Sequence, residues 1–212
     1  MAMTLPPMTA DELRMSILKM VETTVEMLRV TREALLQPSP TALARVTVHE
    51  NALQQKERWL TDRVAVQLQD SPWTLGAAER LAMLPAGLEG IGVAAEHLAG
   101  CVEAIRQEGV PFSEPAFMEI LRLFDAGIAL VTAVAAALRT PDRMMPSQLQ
   151  ASCAAFRTKC DAAALEHEDR LLRGTCVPRA SGIFLTMLDH FGEIEHAVRR
   201  IAADLGRALA TQ

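Results

Sequence analysis

Apolar residues recur every three or four positions along most of the chain, the period of a helix that buries one face. The clearest run is Phe184, Met187, Leu188, Phe191, Ile194, Val198, Ile201 and Leu205. It follows a punctuated turn. Arg170 and Arg173 stand where cations suit a helix C-terminus, Gly174 where a left-handed residue closes a helix, and Pro178 near the next helix start. Residues 163–205 therefore read as the end of one helix, a tight turn and most of another.

The same signals divide the rest of the chain. Thr9 with Glu12 forms a capping box ahead of a stripe of Leu13, Ile17, Met20, Val21, Val25, Leu28, Leu35 and Leu36. Gln37–Pro40 ends that helix, and Ser39 with Pro40 opens a second, striped by Leu43, Val46, Leu53, Leu60, Val64 and Leu68. Ser71–Pro72 repeats the device for a third helix, in which Pro85 predicts a kink because its ring displaces a backbone hydrogen bond. Gly87, Gly90 and Gly92 follow closely and permit close approach of a neighbouring backbone, while Leu81, Leu84, Leu88, Ile91, Leu98, Val102 and Ile105 keep the stripe. Gly109–Pro111 ends this helix. Ser113 opens a fourth that runs to about Leu138, and residues 140–146 connect it to the hairpin.

Short connections imply antiparallel neighbours. The expected fold class is all-α: six long antiparallel helices forming two tandem three-helix bundles. Residues 9–108 make the first three-helix repeat and 113–211 the second, in one continuous domain. An offset of 103 sets Leu81 against Phe184, Leu84 against Met187, Leu88 against Phe191, Ile91 against Ile194 and Leu98 against Ile201. Pro40 with Pro146, and Pro72 with Pro178, stand 106 apart. A duplicated unit is the architecture these offsets favour.

Composition narrows the function. Half of the 212 residues are apolar, so a core can form without disulfides or metal. A net charge of −5, with 4% aromatics and no tyrosine, argues against nucleic-acid binding, which uses basic faces and stacking platforms. The N-terminus lacks a basic start followed by an apolar run, so no secretory signal is expected. The most apolar window, Ala126–Leu138, is shorter than the roughly 20 residues of a membrane span and is expected to be a buried helix segment. Cys101, Cys153, Cys160 and Cys176 show no C-x-x-C spacing and read as reduced, partly buried thiols of a cytoplasmic protein.

Three segments carry a family resemblance. Leu88–Gly92 resembles an L-E-R-I-G-D helix motif. Val110–Ser113 with Glu119–Leu121 resembles an F-S…E-L entry into a fourth helix. His167–Gly174 with Ser181 and Leu185–Leu188 resembles an H-x-x-R-L-x-x-G…S turn. Their order and spacing resemble a PhoU-type domain, most closely the cytoplasmic PhoU-like tail of bacterial sodium/phosphate cotransporters. The resemblance implies a pair of three-helix bundles and a non-enzymatic role in phosphate uptake or its regulation. It also implies action by contact with a protein partner, either a phosphate transporter or a signalling protein. No transporter portion precedes the chain, so it is expected to be a free-standing relative or an excised piece of something longer.

PhoU proteins can hold metal clusters through acidic pairs four residues apart, which share a helix face. This chain departs from that pattern. Glu89 is kept but Val93 replaces the second acid, Gly192 and His196 occupy the corresponding positions of the last helix, and Glu50 is followed by Gln54. The residues that would hold a metal are Glu89, Asp189, Glu193 and His196; with Arg200, the last three lie roughly opposite the Phe191 stripe and also read as a solvated charged face. Glu195 projects near the apolar arc, as a paired buried carboxylate or an edge residue. Glu166, His167, Glu168 and Asp169 are adjacent, so they point to different faces. Cys153 and Cys160, seven apart, suit core packing. No Ser-His-Asp ordering, G-x-S-x-G elbow or phosphate-cradling glycine loop is present, so no catalytic residue is expected.

The function expected is a PhoU-like regulatory or interaction domain with no cofactor, no nucleic-acid partner and no membrane span of its own. Its partner is another protein, a second copy forming a homodimer among the candidates. A metal-binding bundle and a small-molecule-binding bundle are the alternatives.

Overall fold

A computed structural model of the chain describes residues 8–70, 81–109, 111–140 and 142–209. Six long helices follow in order: α1 Ala10–Leu36, α2 Pro40–Asp70, α3 Leu84–Glu108, α4 Glu114–Arg139, α5 Met145–Leu172 and α6 Pro178–Leu209. No strand occurs among the described residues.

Local chemistry sets the helix ends. Thr9 and Glu12 form the reciprocal capping box of α1. The Ser39 hydroxyl accepts from the Ala42 N–H, and Pro40 begins α2. Gly109 closes α3 at φ 63°, and Gly174 lies at φ 68° after α5. Thr175 N–H donates to the Arg170 carbonyl and Gly174 N–H to that of Leu171, the two bonds of a Schellman motif.

One helix start differs from the sequence expectation. Pro85 does not kink a long helix. The chain turns at Ala82–Met83, and Pro85 sits in the first turn of α3, where its missing N–H sacrifices no bond. The Ser71–Pro72 cap, the Pro72–Pro178 spacing, Val110, Pro141 and the Leu68 side chain lie outside the described residues.

The helices α1, α2 and α3 pack on one another pairwise, as do α4, α5 and α6. The two groups meet where α3 lies along α6 and α1 along α4. Every apolar residue expected on α6 is buried: Phe184, Met187, Leu188, Phe191, Ile194, Val198, Ile201 and Leu205. Phe191 meets Phe124 of α4 edge-on at 5.0 Å and Phe156 of α5 at 6.2 Å. On α1, Leu36 departs from its stripe and is exposed, being the last helical residue.

Glycine permits two close approaches. A Cβ at Gly92 would lie 2.7 Å from Leu53 of α2, and one at Gly87 would lie 3.0 Å from Ile201 of α6. By length and composition α4 is apolar enough to cross a membrane, beyond the shorter window expected. Here 56% of its most apolar window is buried, and the helix packs against α1, α5 and α6. Cys101, Cys153 and Cys160 are buried and free, and burial pushes each thiol up to about 11.

The segments that carry the family resemblance in the second half converge at one corner. The Arg170 guanidinium donates two hydrogen bonds to Glu119 of α4, at 2.6 and 2.7 Å, with both side chains largely withdrawn from water. Its charge also lies 5.6 Å from the Phe184 ring. His167 is 2% exposed and stacks on Phe184 at 4.4 Å, while Glu166, Glu168 and Asp169 are exposed. Burial and Arg170 hold His167 below its ordinary value, so the ring is neutral at pH 7. Phe112 meets Phe184 edge-on, and Ser113 and Ser181 line a cavity of about 160 Å³ beside His167.

Removing one partner of a buried ion pair leaves the other charge stranded. Arg170→Ala is expected to lower unfolding stability by about 3–5 kcal/mol. Arg173→Ala breaks only an exposed pair with Asp169, and is expected to change stability by about 1 kcal/mol or less. Urea melts of the two variants check the contrast; equal losses would contradict it.

Candidate functional site

The sequence-derived site residues gather round one groove. Glu89 and Val93 of α3, Arg157, Cys160 and Asp161 of α5, and Asp189, Gly192, Glu193, His196 and Arg200 of α6 line a hollow of about 760 Å³. Helical spacing explains the gathering. Glu89, Val93 and His97 are four apart and share one face of α3, while Asp189, Glu193, His196 and Arg200 share one face of α6. All four are exposed, as on a solvated charged face, and α3 and α5 flank them.

The groove does not reproduce a carboxylate metal cluster. Val93 contributes an apolar side chain where a second α3 carboxylate is required, and Gly192 contributes none. Arg157 pairs with Asp161 at 3.0 Å and reaches within 3.8 Å of where a Cβ on Gly192 would lie. This guanidinium occupies ground a cation would need. His196 accepts or shares a hydrogen bond with Arg199 at 3.1 Å. Glu195 is the paired buried carboxylate, 5% exposed and 3.3 Å from Arg199.

A second hollow of about 840 Å³ continues along the α3–α6 seam, lined by His97, Gly100 and Cys101 from α3 and by Gly182, Thr186 and His190 from α6. His97 lines both hollows. Its ring stands 4.8 Å from that of His190, and His190 Nδ1 lies 2.9 Å from Glu193 Oε2. Among the described residues, His97, His190 and Glu193 form the one trio of metal-type donors within 4.8 Å of one another. Of the four residues expected from sequence, Glu193 belongs to that trio and Glu89, Asp189 and His196 do not. Sequence reading missed both histidines. The i,i+8 relation of Glu89 to His97 was visible, but the pairing of His97 with His190 depends on how α3 and α6 meet.

Acidic residues also face one another between α2 and α3. Burial holds the Glu50 carboxyl above its ordinary value, with Glu96 and Glu89 adding repulsion. Glu89 is raised likewise by burial and then by Glu57. A raised folded-state value means that the folded chain disfavours the ionised form. The resulting penalty is absent below the ordinary glutamate value of about 4.3 and complete above the raised one. Glu50→Gln is therefore expected to raise the melting temperature at pH 7, with the gain vanishing near pH 4, a trend thermal scans at both pH values read directly. An equal or lower melting temperature at pH 7 would contradict it.

No protein-family model matches the sequence. No curated protein matches it either. Solved structures do match. The chain is similar to PhoU from Pseudomonas aeruginosa with a TM-score of 0.86 at 15% identity, covering 95% of this chain and 97% of that one. It is similar to the phosphate transport system regulatory protein PhoU from Streptococcus pneumoniae with a TM-score of 0.84 at 12% identity, covering 96% of each chain. A PhoU-like protein from Shewanella oneidensis follows at 0.72 and 10% identity, covering 94% of this chain and all of the other. At these identities the likeness establishes architecture: the chain has the all-helical PhoU-like fold.

Proposed function

We propose that the chain is a non-enzymatic, cytoplasmic regulator of phosphate transport that works by binding a transport or signalling protein. The observation that carries this reading is the end-to-end likeness to PhoU structures, one of them a phosphate transport system regulatory protein. The sequence resemblance to cotransporter tails makes a phosphate transporter the favoured partner.

The surface suits contact. Leu171, Leu172 and Val177 are exposed at the α5–α6 turn, Leu172 by 83%, and Leu165 and Leu185 are exposed on the flanking helices. Exposed aliphatic side chains at a loop gain free energy when a partner covers them, about 1.5–3 kcal/mol for each one fully buried. The nearby Glu119–Arg170 pair and the Schellman turn hold this end of the hairpin in place.

Deleting the gene from its host, then measuring radiolabelled phosphate uptake at low and high external phosphate, tests the reading. Uptake is expected to lose its dependence on external phosphate. Leu171→Glu/Leu172→Glu is expected to reproduce the deletion while keeping the far-ultraviolet dichroism and melting temperature of the wild type. Unchanged uptake on deletion would contradict the proposal.

A further inference from the structure

We propose that His97, His190 and Glu193 bind one divalent transition ion of the zinc type, clasping α3 to α6. Two imidazoles and a carboxylate form the donor set that zinc, nickel, cobalt and copper accept. Magnesium and calcium prefer all-oxygen surroundings and are poorly served by it. The donor set differs from the acidic pairs that the PhoU resemblance implies: two of its three ligands are imidazoles, and of the three only Glu193 belongs to an acid-x-x-x-acid pair, with Asp189. It takes one ligand from α3 and two from α6, so it bridges the two three-helix groups.

Geometry favours closure. Around a tetrahedral ion with bonds of about 2.0–2.1 Å, donor atoms stand roughly 3.3 Å apart. His190 Nδ1 and Glu193 Oε2 are already at 2.9 Å, and all three donors lie within 4.8 Å. A rotamer adjustment of His97, which is exposed, supplies the remaining approach. The trio stands between the two hollows, His97 lining both, Glu193 the first and His190 the second. A fourth coordination position is thereby left open to water. Glu193 pairs with His190 within the trio, whereas Asp161 and Glu195 pair with Arg157 and Arg199.

The test is calorimetric titration of chelator-stripped protein with zinc chloride, with magnesium chloride as control. One zinc ion per chain is expected and no magnesium. His97→Ala and His190→Ala are each expected to weaken zinc binding roughly tenfold or more, since each removes a direct ligand. Glu89→Gln and His196→Ala are expected to leave it unchanged. Zinc should also raise the melting temperature of the wild type and not of His97→Ala, because a ligand bound only by the folded state stabilises it. His97 is exposed and His190 half-buried, and melting in chelator verifies that the variants fold. Absence of stoichiometric zinc binding would overturn the proposal. So would binding that survives both histidine substitutions, or binding lost with Glu89→Gln or His196→Ala, which would place the ion in the wider groove.

Discussion

Burial of the α6 stripe is the interaction on which the rest of the structure depends. The helix runs from Pro178 to Leu209 and packs against α3, α4 and α5, so it belongs to one three-helix group while forming the seam with the other. Phe191 is fully buried between Phe124 and Phe156, and Ile201 reaches Gly87 across the seam. Each buried side chain of this size contributes about 1.5–3 kcal/mol. The repeated period along α6 places those contributions on one line, and the opposite line is left to the polar groove.

Most of the fold was legible because it is written in local signals. The Thr9 capping box, the Ser39–Pro40 start, Gly109, Gly174 and Pro178 each act within one turn of helix, and each does so in the structure. Pro85 was misread because a proline inside a helical pattern signals either a kink or a first turn, and choosing requires the backbone before it. Long-range pairing was the other illegible part. Glu119 and Arg170 were each visible within family-like segments, yet their bidentate bond depends on how α4 meets α5. The same holds for His97 and His190, separated by most of the second half of the chain and brought together by the α3–α6 seam.

The candidate site follows the same division. Sequence periodicity was enough to put Asp189, Glu193 and His196 on one face, and the structure sets that face opposite Glu89 in a single groove. It could not show that Arg157 crosses over Gly192, which weakens a carboxylate cluster there. Nor could it show that the closest donor set lies at the edge of the groove, where α3 and α6 each supply an imidazole.

Whether α6 unites the two groups into one cooperative unit is tested most directly by equilibrium unfolding of Phe191→Ala. Both tryptophans, Trp59 and Trp73, fall in the first half of the chain, whereas Phe191 lies in the second. Urea unfolding should therefore be followed by tryptophan fluorescence and by far-ultraviolet dichroism on the same samples. Coincident transitions in the wild type, both shifted by about 3–5 kcal/mol in the variant, are the expected result. Two separate transitions, with the tryptophan signal unmoved by Phe191→Ala, would show that the halves unfold independently and would contradict it.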